Sequence, residues 1–74
     1  MSEIVLRVRL VGGGQLDVVY QNAEIEDQAA LIEEVVTSLT QPSGALRTRH
    51  GDRLMMLFGR GVAAIEFAPR GAVV

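Results

Sequence analysis

Arg7 and Arg9, and again Arg47 and Arg49, stand two residues apart within stretches that alternate apolar and polar, EIVLRVRLV and ALRTRH. Residues two apart in an extended strand point to the same side, so each pair sets two guanidiniums on one face of its own strand. If both pairs share a face of one sheet, four guanidiniums converge there. Such a cluster suits phosphate, RNA or an acidic partner, because a guanidinium binds oxyanions through two parallel hydrogen bonds. The competing reading is that they are solvated positions, or pair across strands with Glu3, Asp17 and Glu66. Exposed charges of that kind are the common case, and this reading is preferred. The aromatic residues are Tyr20, Phe58 and Phe67, few for stacking on bases; nucleic acid is possible but not the favoured partner.

The remaining candidates for chemistry are thinner. Gly12-Gly13-Gly14 and Gly59-Arg60-Gly61 resemble phosphate loops in composition, but such a loop works against the N-terminus of a helix that follows it. Both are followed by strand-like runs, so both read as turns, with Arg60 at a tip where it could meet a partner. His50 is the sole histidine, with Asp52 two residues on and Ser43 the nearest hydroxyl of interest; no nucleophile, base and orienting acid are spaced as a set. Glu33 and Glu34 are adjacent, hence about 100° apart on a helix, which makes a poor carboxylate pair. There is no cysteine, which removes disulfides and thiolate metal sites. The expectation is therefore a non-enzymatic chain without cofactor or metal.

These residues must be positioned by a small frame. The 74 residues suit one domain, 1–74, whose lone core supplies about 3–5 kcal/mol. The apolar fraction of 49% is high for so small a globule. The net charge of −2 exerts no global pull on nucleic acid. All seven basic residues are arginine, which reads most simply as the codon bias of a GC-rich genome. No apolar run approaches the roughly 20 residues that span a bilayer, and the acidic start, Met1-Ser2-Glu3, is unlike a signal peptide; a cytoplasmic protein with no membrane partner is expected.

The period of two predicts strands over Glu3–Val11 and Gln15–Tyr20, joined by the glycine run. Asn22 suits an Asx turn or a helix cap. From about Ile25 to Thr40 the period becomes helical, with Ile25, Ala29, Ile32, Val36 and Leu39 in one stripe and Leu31 and Val35 widening it. Pro42 stops the helix and Gly44 takes the chain round. Ala45–His50 is a third strand, and Gly51-Asp52 a tight turn. The stretch RLMMLFGRGVAAIEF then predicts strands at Arg53–Phe58 and Val62–Phe67, hinged on Gly-Arg-Gly and forming the centre of the sheet. Pro69 ends the second, leaving a short tail, Arg70-Gly71-Ala72-Val73-Val74, apolar at its tip. The fold class is α+β: a two-layer domain with a mainly antiparallel sheet of four to five strands, in the order β-β-α-β-β-β or, with the last two runs as one bent strand, β-β-α-β-β, under one covering helix.

One helix covers one face. Ile4, Leu6, Val8, Leu10, Leu16, Val18 and Leu46 are expected beneath it. The opposite face would show Val5, Val11 and Val19, with either Met55 and Leu57 or Met56 and Phe58, among the arginines. So much exposed apolar surface is unusual in a monomer, and predicts a homo-oligomer formed through that face or through a sheet edge, unless the last strands curl round to cover it.

Ile32-Glu33-Glu34-Val35-Val36, Ser43-Gly44-Ala45-Leu46, Gly51-Asp52-Arg53 and Val62-Ala63-Ala64-Ile65-Glu66-Phe67 together resemble a group of short actinobacterial proteins of unknown function. Those proteins also run strand, strand, acidic helix, Ser-Gly and closing strands; the triple glycine and the paired methionines depart from the pattern. The resemblance implies a bacterial source and the same fold, and transfers no active site. The function expected is a small interaction module that self-associates through its sheet and binds a protein partner or assembly through Arg7, Arg9, Arg47, Arg49 and Arg60. The alternative is an anion or nucleic-acid binder built on the same arginines.

Overall fold

The structure, a computed structural model, describes residues 2–69; the short tail read at 70–74 lies outside the described residues. Strands β1 (Ser2–Leu10) and β2 (Gln15–Asn22) form a hairpin, helix α1 (Gln28–Thr40) follows, and β3 (Ala45–His50) and β4 (Arg53–Phe58) form a second hairpin. A single 3-10 turn, Gly59–Gly61, leads to β5 (Val62–Pro69). The five strands make one antiparallel sheet in the order β4-β3-β2-β1-β5. This is an α+β domain with the β-β-α-β-β-β order.

Local chemistry accounts for the punctuation. Gly12, Gly13 and Gly14 all have positive φ, 91°, 106° and 89°, a conformation open to glycine at little cost. Gly51 (φ 63°) and Asp52, which is not in that region, turn β3 into β4, the φ pattern of a type II′ hairpin with glycine first. The Asn22 side-chain oxygen accepts from the Glu24 amide at 2.9 Å, an Asx turn. The helix therefore starts at Gln28, later than the Ile25 expected from periodicity, because Asn22 first turns the chain.

One expectation fails outright. The runs at 53–58 and 62–69 are not paired neighbours at the centre of the sheet; they are its two opposite edges. A flat sheet with strands about 4.8 Å apart would hold those edges about 19 Å apart. The link from Phe58 to Val62 spans at most about 14 Å even fully extended. The sheet must therefore coil until its edges converge at this end. Two backbone bonds clasp the turn: Gly59 N–H donates to the Gly44 carbonyl (2.9 Å), and Val11 N–H donates to the Gly61 carbonyl (3.0 Å). The bend falls between β2 and β3, whose ladder is reduced to Val19 opposite Arg49, whereas β1 and β2 pair from Ser2–Asn22 to Arg9–Gln15. The middle of the order is β2, and the most fully paired strand is β1, held along its length by β2 and β5.

The coiled sheet wraps the helix. Ile4, Leu6, Val8, Val18, Tyr20, Leu46 and Leu57 are buried against Leu31 and Val35, with Leu10 and Leu16 half-buried at the margin. The face expected to take the helix does so. Thr48 is buried among them, and its hydroxyl donates to the Met55 carbonyl at 2.8 Å, which removes the cost of an unpaired buried oxygen. Within the helix the expected stripe is turned: Leu31 and Val35 point inward, whereas Ala29 and Val36 are exposed.

Candidate interaction surface

The register fixes what the outer face of the sheet presents. Arg7 lies opposite Asp17 on β2 and Glu66 on β5; Val5 lies opposite Val19 and Ala68; Val19 lies opposite Arg49, and Arg49 opposite Leu54. Arg47 faces Met56 on β4. Opposed residues of an antiparallel pair point to the same side, so Arg7, Arg9, Arg47 and Arg49 do share one face.

They do not act as one cluster. The Arg7 Nε donates to Asp17 Oδ1 at 3.0 Å, with Nη2 to Oδ2 at 3.4 Å. Arg9 reaches Glu66 Oε1 with Nη2 at 2.8 Å and Nε at 3.1 Å. Glu3 accepts from the Gln21 amide. The half of the face on β1, β2 and β5 is thus neutralised by cross-strand pairs. Arg47 and Arg49, on β3, are exposed and make no side-chain hydrogen bond or ion pair among the described residues. They border a shallow hollow floored by Val19, Gln21, Thr48 and Leu54. Arg60 is exposed on the 3-10 turn, outside these rows.

The hydrogen bond from Arg7, reinforced by its charge, holds the Asp17 carboxyl below the usual carboxylate range, and the same pairing raises Arg7. A carboxyl with a lowered folded-state pKa contributes stability that is complete above its unfolded value near 4. That contribution is lost as pH falls through the depressed folded value. Arg7→Gln should therefore lower the urea midpoint at pH 7, and the gap from wild type should close on acidification below the ordinary carboxylate range. Urea titrations of both proteins across that window check it; a gap that is unchanged in acid would contradict the pairing.

His50 plays a structural part. Its Nδ1 lies 2.7 Å from the Asp17 carbonyl, close enough to donate across the sparse β2–β3 junction, and its side chain makes no bond to Asp52 or Ser43 among the described residues. No group of three or more His, Asp or Glu that could hold a metal ion occurs among the described residues, and no helix there is long and apolar enough to cross a membrane.

Beside the free arginines runs the apolar row of β4. Leu54 is 63% exposed, Met56 42% and Phe58 55%, while Met55 is half-buried and Leu57 buried. Of the two sets open at the sequence level, Met56 and Phe58 face outward. Leu54 was not foreseen. Its signal was the i, i+2, i+4 spacing with Met56 and Phe58, masked because β4 is apolar on both faces. No family model, curated protein or solved structure matches the chain. The surface itself carries the functional reading.

Proposed function

We propose that this chain is a small, non-enzymatic interaction module that self-associates through its sheet and, so assembled, binds a protein partner or larger assembly. The observation that carries the reading is the row Leu54, Met56 and Phe58, more exposed than large apolar side chains ordinarily are, flanked by Arg47 and Arg49, which have no carboxylate partner among the described residues. An apolar centre rimmed by arginine is the composition of a protein–protein contact. A domain of 74 residues gains from such a contact stability its own core cannot supply. The module works in the cytoplasm, where a chain without cysteine loses nothing to reducing conditions.

A second reading rests on the same two arginines: un-neutralised guanidiniums over a hollow form an anion site. Arg47→Gln together with Arg49→Gln separates the two. The interaction reading expects no anion affinity to lose, with the double variant still folded and self-associated through its apolar row. The anion reading expects loss of phosphate or oligonucleotide binding, read by calorimetry, with the mass unchanged.

A further inference from the structure

The hydrogen bond from Gly59 N–H to the Gly44 carbonyl fixes which way every residue of β4 directs its backbone. Pairing groups in an antiparallel strand alternate from one residue to the next. With Gly59 facing β3, so do Leu57, Met55 and Arg53, and the bond from Thr48 to the Met55 carbonyl agrees. Leu54, Met56 and Phe58 therefore turn their N–H and C=O groups away from β3, to the outer side of this edge strand, where Met56 and Phe58 also border a hollow shared with Leu10, Leu16 and Val62. The residues of β4 whose backbone groups face away from β3 are the same three that expose large apolar side chains on that strand.

From this coincidence we infer that β4 is a self-pairing edge whose occupant is β4 of a second copy, antiparallel, with Met56 on the two-fold axis. This rests on the self-association proposed above and specifies its geometry. In that register Met56 meets Met56 of the second copy, and Leu54 meets its Phe58. All three outward residues then exchange both backbone bonds, about six in total by the antiparallel pattern. Shifting the centre to Met55 or Leu57 leaves one outward residue of each strand unmatched. Side chains of paired residues fall on the same face, so the two apolar rows merge into one stripe across the axis.

Charge agrees with this register. Arg53 comes opposite Gly59 of the second copy, so no like charges face one another within the strands. Asp52 is brought to the end where Arg60 of the second copy lies, which gives the arginine of the 3-10 turn an acidic counterpart. Natural edges are usually blunted by lysine, proline or an inward charge, and β4 (RLMMLF) has none of these between Leu54 and Phe58. The other edge is treated differently: β5 ends in Pro69 and has the helix alongside, with Val36 and Leu39 sharing a hollow with Ala63, Ile65 and Phe67. A two-fold contact through one edge, with the other protected, closes at a dimer.

The test uses Met56→Pro and Met56→Lys in the full chain, with mass by light scattering and fold by circular dichroism. The Met56 N–H faces away from β3 and takes no part in its ladder, so proline at this edge position keeps the fold. Lysine leaves the backbone untouched and sets like charges on the axis. Both variants should stay folded and run at 8.0 kDa at concentrations where the wild type runs at twice that, with dimer affinity reduced at least tenfold. Because the chain has no cysteine, Met56→Cys should oxidise to a covalent dimer and Leu54→Cys, whose counterpart is residue 58, should not. A wild-type oligomer that persists in folded Met56→Lys, or equal cross-linking at 54 and 56, overturns edge pairing while leaving self-association through the sheet face standing. A monomeric wild type overturns both.

Discussion

Alanine at Gly44 or at Gly59 should remove most of the domain's stability, with a steep fall in the urea midpoint. A Cβ at Gly44 would lie 1.7 Å from the Ser38 carbonyl oxygen, and one at Gly59 would lie 2.2 Å from that of Leu39. Both neighbours are backbone atoms of the last helical turn, so relief requires moving the helix end or the strands clasped beneath it. Overpacking of a fixed site costs about 1–3 kcal/mol and more when backbone must shift, against a core worth about 3–5 kcal/mol in a domain of this size. Gly61→Ala is the matched control: nothing lies within 4 Å of its Cβ and its φ is not positive, so its effect should stay within about 0.5 kcal/mol. Urea denaturation followed by circular dichroism compares the three. Equal midpoints for Gly44→Ala and Gly61→Ala would show that the close approach of helix and loop is wrong.

The second large effect concerns the helix. Leu31→Ala should destabilise by about 2–5 kcal/mol, the range for a leucine emptied from a packed core, since Leu31 is fully buried against the sheet. Val36→Ala should change stability by less than about 1 kcal/mol, because Val36 is 43% exposed. The pair discriminates between two phases of the same helix. Periodicity centres the stripe on Ile25, Ala29, Ile32, Val36 and Leu39 with Leu31 and Val35 widening it; the structure centres it on Leu31 and Val35, with Ile25, Ile32 and Leu39 half-buried beside them and Ala29 and Val36 exposed. If Val36→Ala proved the more damaging, the helix would be rotated from the position described.

That rotation shows where the sequence stops being informative. Apolar residues cover so wide an arc of α1 that periodicity identifies the helix without choosing its centre; the curl of the sheet makes the choice. β1 and β2 were legible because each alternates cleanly, so Ile4, Leu6, Val8 and Val18 could only point one way. β4 was legible as a strand but not as a side, since Leu54 to Phe58 is apolar at every position and only the register against Arg47 and Arg49 assigns the faces. Its place at an edge was hidden for a different reason. Neighbours in sequence usually pair in space, and a short Gly-Arg-Gly link invites a hairpin. Nothing local reveals that the sheet coils enough for three residues to join its opposite edges.

The candidate surface divides in the same way. The shared spacing of Arg7 with Arg9 and of Arg47 with Arg49 announced two same-sided pairs, and Asp17 and Glu66 were legible as possible partners. Which pair would be neutralised depends on strand order. β1 lies between β2 and β5 and so meets both carboxylates, whereas β3 faces the apolar row of β4. The uncompensated charge therefore adjoins the exposed hydrophobic residues, a juxtaposition set by topology.

The measurement closest to the central claim is the solution mass of the wild-type chain by light scattering behind a sizing column, at low and at high salt. Self-association through an apolar row and backbone pairing predicts a species of twice 8.0 kDa that survives high salt, because neither contribution is strongly screened. A clean 8.0 kDa monomer at both salts would contradict the account, leaving Leu54, Met56 and Phe58 bare in solution and Arg47 and Arg49 as the first place to seek a ligand.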